Sequence, residues 1–182
     1  PERKESADGI EATFAVNHLG PFWLTEALLD GLSKNAPSRI INVASALHYR
    51  AKTDFLNGGA PLERKENYSG FQAYCDSKLC NVIYTMDLFR KLQSKNISVY
   101  AFHPGVVNTS LVREYPGAVH FIWGLISKSP KKAAGPLVQL ASLPDPGPSG
   151  TYFHGKKRKV PLAVTNDPAT GDRLRELSES LT

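Results

Sequence analysis

Arg39-Ile40-Ile41-Asn42-Val43-Ala44-Ser45 carries three β-branched aliphatic residues in seven positions, without the strict polar–apolar alternation of a half-solvated strand. Such a run reads as a short strand buried on both faces. A polar stretch, residues 33 to 38, precedes it. Before that, residues 5 to 33 place Ile10, Phe14, Leu19, Phe22, Leu24, Leu28, Leu29 and Leu32 at helical spacing, which predicts one long helix. After Ser45 a Gly- and charge-rich loop is expected over residues 46 to 69. A second long helix follows from Gly70 to about Lys95, with an apolar stripe at Leu79, Val82, Ile83, Met86, Leu88 and Leu92. Residues 97 to 102 read as the next strand, followed by the turn His103-Pro104-Gly105 and a loop through Thr109. An apolar, Trp-bearing segment comes next, then a helix starting near Pro130 and a strand over residues 150 to 154. Strand and long helix alternate throughout, so the fold class is α/β, a doubly wound parallel sheet covered on both faces.

The chain has 182 residues, 41% hydrophobic and 21% charged, which suits one globular domain spanning residues 1 to 182. Its longest apolar stretches, near residues 121 to 126 and 137 to 140, fall far short of the ~20 residues a membrane-spanning helix needs. No signal-like segment opens the chain, and the expected location is cytoplasmic or on the cytosolic face of an intracellular membrane. Cys75 and Cys80 lie five positions apart and face different sides of their helix, so neither a disulfide framework nor a metal knuckle is expected. The five histidines have no ligand spacing, and no metal site is assigned. Most of the net charge of +5 sits in one cluster, Lys156-Lys157-Arg158-Lys159, which reads as a solvated loop without a nucleic-acid recognition motif.

Tyr74-Cys75-Asp76-Ser77-Lys78 sets a phenol and an ammonium at i and i+4, on one helix face a turn apart. A buried strand ending in Ser45 comes just before that helix, and parallel sheets place their ligands at the carboxyl ends of strands. The order Asn-Val-Ala-Ser (42 to 45), Tyr-x-x-x-Lys (74 to 78) and Pro-Gly-Val-Val-x-Thr (104 to 109), preceded by Asn17-His18-Leu19-Gly20, resembles the short-chain dehydrogenase/reductase superfamily. The run from Asp8-Gly9-Ile10-Glu11 through Phe14, Val16, Asn17, His18, Leu19, Gly20 and Phe22 is similar to its retinol-dehydrogenase-type branch.

The resemblance implies a Rossmann-type domain, a nicotinamide cofactor and an Asn-Ser-Tyr-Lys tetrad at Asn17, Ser45, Tyr74 and Lys78. Tyr74 is then the general acid/base, and a Lys78 ammonium ~5 Å away is expected to favour the phenolate by roughly 3 kcal/mol at an effective dielectric near 20. Lys78 and Tyr74 also face the nicotinamide ribose, while the Ser45 hydroxyl holds the substrate oxygen. The Val107 backbone and Thr109 hold the carboxamide, and Pro104 and Gly105 let the chain approach the ring. The branch points to NADP(H), with NAD(H) as the alternative. Departing from the family, the chain contains no Gly-x-Gly-x-x-Gly turn, so the cofactor-phosphate half of the domain, about three βα units or ~100 residues, is absent from it.

The apolar run Leu111, Val112, Tyr115, Val119, Phe121, Ile122, Trp123, Leu125 and Ile126 suits a lid over a bulky apolar substrate of retinoid, steroid or lipid type, or a contact with a membrane surface. Pro21, four residues after Asn17, deprives the Asn17 carbonyl of its helical partner and predicts a kink there. In the family such a kink serves a proton relay from the lysine. Two further expectations concern partners: a homodimer through the long helices and, as the alternative to an enzyme, a truncated, non-catalytic interaction protein that cannot hold a cofactor. A chain without the first half of its sheet is also expected to expose apolar surface along residues 39 to 45.

Overall fold

The computed structural model describes residues 2–54, 68–105 and 129–181. Helix α1 (Ala12–Phe14) runs through a π-helical turn (Ala15–Leu19) into α2 (Gly20–Lys34), and strand β1 (Ser38–Val43) follows. A 3-10 turn (Ala46–Arg50), helix α3 (Gly70–Lys91) and strand β2 (Ile97–His103) come next. They are followed by α4 (Pro130–Ser142), β3 (Thr151–His154), β4 (Lys157–Lys159), a 3-10 turn (Ala163–Asn166) and α5 (Pro168–Glu179). The sheet order is β1-β2-β3-β4, with the first three strands parallel and β4 antiparallel at the far edge.

Both faces of the parallel strands are covered, as the uninterrupted apolar runs require. Alternate residues Ile40, Val99, Ala101 and Tyr152 pack toward α2 and α3, against Phe22, Val82, Tyr84, Met86 and Leu88. The intervening residues Ile41, Tyr100, Phe102 and Phe153 pack toward Leu137 and Leu140 of α4. The Arg39 guanidinium donates to the carbonyls of Leu140, Ala141 and Leu143 at 2.5, 2.9 and 2.9 Å, placing a cation on the negative end of α4. On the α3 side the buried Asn42 amide is satisfied by the Thr85 hydroxyl at 3.0 Å.

Several boundaries differ from the sequence reading. Residues 5 to 11 are not helical: Glu5 bridges to Glu11, and Gly9 turns the backbone at φ +77°. The helix starts only after Glu11, whose carboxylate accepts from the amides of Thr13 and Phe14 at 2.9 and 2.7 Å. The periodic Ile10 still packs on the core, which is why the pattern read as continuous. Pro21 does not end the helix, which continues through it as α2. Its missing N–H is absorbed by a widened turn in which the Gly20 amide donates to the Ala15 carbonyl, five residues back. The Lys156–Lys159 cluster is not a loop, because residues 157 to 159 form β4, an exposed edge strand whose charges suit that position. The Arg158 guanidinium lies against Gly147, which takes φ +107°, a conformation that favours glycine.

The tail, which no sequence pattern explained, closes the fold. Leu174 of α5 packs with Phe14, Leu19, Leu79, Cys80 and Ile83, so α3 is enclosed by the sheet on one side and by α5 on the other. Arg175 reaches under α5 to Asp87 at 2.8 Å and Glu26 at 2.9 Å, tying together α2, α3 and α5. At the opposite side, β1 has no strand partner on its outer edge among the described residues. There Val43 is 46% exposed, beside Val16 at 73%, Leu24 at 63% and Leu28 at 50%, which agrees with the apolar exposure expected along this strand. Among the described residues no helix is long and apolar enough to cross a membrane.

Candidate active site

Tyr74 and Lys78 stand one turn apart on α3, with the Lys78 ammonium 5.6 Å from the centre of the Tyr74 ring. The ammonium donates to the Val43 carbonyl at 3.2 Å, and the Asn81 amide donates to the same oxygen at 3.3 Å. Two residues past β1, Ser45 is extended and caps the 3-10 turn: its Oγ accepts from the Leu47 amide at 3.2 Å. The Ser45 hydroxyl also lies close enough to the Tyr74 phenol to favour its ionised form. Asn17 arrives from the π turn. Its amide donates to Ser77 Oγ at 3.1 Å, and Ser77 in turn donates to the Tyr74 carbonyl at 2.8 Å.

Four residues from three elements therefore meet at the carboxyl end of β1. Asn17, Lys78 and Asn81 line a cleft of about 540 Å³ between α2 and the free edge of β1, with Gly20, Pro21 and Val43. Burial, opposed by the Ser45 hydroxyl, pushes the Tyr74 phenol above its ordinary value. Burial likewise pulls the Lys78 ammonium down. The expected lowering of the phenol by Lys78 is thus not what this arrangement gives. Desolvation of Tyr74 is the largest influence on the phenol in the free site.

Pro104 and Gly105 follow directly on β2, and Gly105 takes φ +91°, a conformation that favours glycine. Val107 and Thr109 lie outside the described residues, as does the apolar run 111 to 126. Cys75 and Cys80 are buried, and burial raises both thiols, as suits packing residues. Sequence reasoning missed Ser77 and Asn81, which lie on the face of α3 shared with Tyr74 and Lys78. It also passed over His48, whose signal was its place three residues after Ser45.

No family model matches the chain. Human retinol dehydrogenase 13 is 41% identical over 180 residues, covering 92% of this chain and 52% of that protein. A crystal structure described as a putative uncharacterized protein from Mycobacterium paratuberculosis superposes with a TM-score of 0.69 at 27% identity, over 100% of this chain and 62% of that one. The crystal structure of NADPH-bound carbonyl reductase from chicken fatty liver shares the fold, with a TM-score of 0.60 at 18% identity over 89% of this chain and 62% of that one. The chain spans about half the length of the curated relatives it matches. With this parallel sheet and this likeness across nearly all its residues, the chain belongs to the short-chain dehydrogenase/reductase superfamily, in its retinol-dehydrogenase-like branch.

Proposed function

We propose that the protein to which this chain belongs is an NAD(P)-dependent oxidoreductase that interconverts an alcohol and a carbonyl on a bulky apolar substrate of retinoid, steroid or lipid type. The observation that carries this reading is the meeting of Asn17, Ser45, Tyr74 and Lys78 at the carboxyl end of β1. The donor set fits a nicotinamide nucleoside, since Lys78 offers an ammonium to ribose hydroxyls and Gly105 places no side chain at the mouth of β2. Val107 and Thr109 are assigned to the carboxamide. The bound cofactor supplies or accepts the hydride.

The rest is done by the chain's own side chains. In reduction, the Tyr74 phenol gives its proton to the developing alkoxide while the Ser45 hydroxyl donates a hydrogen bond to the same oxygen. In oxidation, the phenolate takes the alcohol proton, and the Lys78 ammonium stabilises that phenolate as it forms. Asn17 holds the helix turn beneath Tyr74 through Ser77, and its place with Lys78 on the cleft suits a proton path leading away from the lysine. NADP(H) is preferred over NAD(H) on the branch likeness. Partners beyond the substrate are a homodimer through the long helices and a membrane surface.

The test is to assay the full-length protein with NADPH and NADH against long-chain and short-chain apolar aldehydes and alcohols. Turnover is expected with the long-chain compounds and NADPH, and its absence with every pair would refute the reading. The absence of a glycine-rich phosphate loop from this chain favours, for the chain alone, the second reading of a non-catalytic interaction protein. Titration of NADPH into the folded chain separates the two, because no binding with an intact far-UV spectrum supports the interaction role.

A further inference from the structure

His48 is fully buried on the 3-10 turn that Ser45 caps, and its two ring nitrogens meet different groups. Nδ1 lies 2.7 Å from the Ser45 carbonyl oxygen, and Nε2 lies 3.4 Å from the Leu162 backbone nitrogen. A carbonyl only accepts and an amide only donates, so these contacts fix the tautomer: Nδ1 carries the proton and donates to Ser45, while Nε2 accepts from Leu162. The ring is held between Tyr49 and Tyr152, at centroid distances of 3.9 and 4.8 Å. The Tyr49 hydroxyl donates to the Val160 carbonyl at 2.5 Å, so residues 160 to 162 are tied to this turn twice.

The Ser45 carbonyl receives two bonds from one residue, the His48 amide at 3.1 Å and the imidazole at 2.7 Å. Ladder pairing of the chain has ended just before, with the Ala44 amide donating to Phe102 at 2.8 Å. Beyond that point the orientation of the Ser45 peptide, and with it the hydroxyl that meets Tyr74, is set by the turn. We propose that His48 is a positioning residue for Ser45: its Nδ1–H locks the Ser45 peptide so that the hydroxyl faces the Tyr74 phenol, and its Nε2 couples that lock to the C-terminal segment 160–162. Of the two bonds the shorter one, to Ser45, does the positioning, and the long contact to Leu162 contributes to stability. The inference rests on the oxidoreductase reading only for its kinetic readout.

The two bonds are separable by substitution in the full-length protein. An Asn amide nitrogen reaches the position of Nδ1, whereas a Gln amide extends one bond further, to the position of Nε2. His48→Asn is therefore expected to keep kcat within about threefold of the parent, and His48→Gln to lower it at least about tenfold with KM for the cofactor unchanged, the scale of loss a small displacement of a reacting group produces. Equal losses in the two variants, or an undiminished kcat in His48→Gln, overturn the proposal. Two readouts do not depend on turnover. Amide exchange at Leu47, whose N–H reports on Ser45 Oγ, should quicken in His48→Gln and not in His48→Asn; the reverse order counts against the lock. In the unsubstituted protein, imidazole 15N shifts at neutral pH should show the proton on Nδ1, and a proton on Nε2 defeats the inference even if the Gln variant does not fold. A protein that shows no turnover on any substrate but keeps these signatures refutes the enzymatic reading and leaves the positioning role standing.

Discussion

At the residue scale, the Tyr74 phenol is protonated at neutral pH as any tyrosine is, and burial, offset only in part by Ser45, moves it further from ionising. A phenol in that state is ready to act as the acid of carbonyl reduction, whereas alcohol oxidation draws on the phenolate. Since the phenol is shifted upward, the phenolate fraction grows as pH rises through the alkaline range, and the oxidation rate of the full-length protein should climb with it while reduction falls. Tyr74→Phe removes the proton donor and keeps the ring, so turnover should drop at least ~100-fold, the lower range for general acid–base catalysis. Steady-state rates against pH check both, and near-parental turnover in the Phe variant would remove Tyr74 from the mechanism. Tyr74 and Lys78 were legible in the sequence because an i, i+4 spacing on a helix fixes their relative placement without knowledge of the fold. Ser45 and Asn17 came from the order of motifs. Ser77 and His48 were not legible, because what they touch depends on how the π turn and residues 160 to 162 dock, and local spacing does not encode that.

At the element scale, α5 is fastened to the start of the molecule by His18. Ser178 Oγ donates to the Leu174 carbonyl at 2.7 Å, so at 2.9 Å it accepts from His18 Nε2. The imidazole is fully buried, and desolvation lowers its pKa to about 4. Its folded value therefore lies below the unfolded value of about 6.5. The stability it contributes is fully present above pH ~6.5 and is lost as pH falls toward 4, amounting to roughly 3 kcal/mol at the limit. Urea midpoints measured from pH 7 to 4 should fall, and in His18→Gln that fall should be shallower; an unchanged slope would show that other groups carry the acid sensitivity. The Arg175 bridge is a second fastening. Arg175→Met strands the buried Asp87 carboxylate, leaving it Lys91 at 3.1 Å among the described residues, and should cost about 3 kcal/mol, the low end for breaking a buried pair. Chemical denaturation measures this directly. The long helices and the strands were legible from periodicity because each has a continuous apolar stripe or run. The false start over residues 5 to 11 arose because Ile10 satisfies the helical period while serving a capped turn.

At the scale of the whole molecule, alternation of strand and helix was enough to read a parallel sheet covered on both faces. The tail was illegible because α5 is a short, charged helix whose apolar residues gain meaning only once α3 lies beneath them. One consequence of the architecture concerns the side opposite β4. There β1 has no strand partner among the described residues, and the neighbouring helix turns add Val16, Leu24 and Leu28 at half exposure or more. Unpaired strand edges beside apolar side chains are templates for association, and charge is the usual way proteins blunt them. Chain 1–182 on its own should therefore self-associate as its concentration rises. The pair Val16→Glu and Leu24→Glu places two charges on the rim of the cleft without removing any buried contact, so it should reduce association while leaving the far-UV spectrum and the melting temperature within about 2 °C of the parent, the shift expected from surface changes within ±0.5 kcal/mol. Sedimentation velocity over a range of concentrations is the measurement, and a parent chain that stays a monodisperse, cooperatively melting monomer would show that the edge of β1 is protected by something other than a partner.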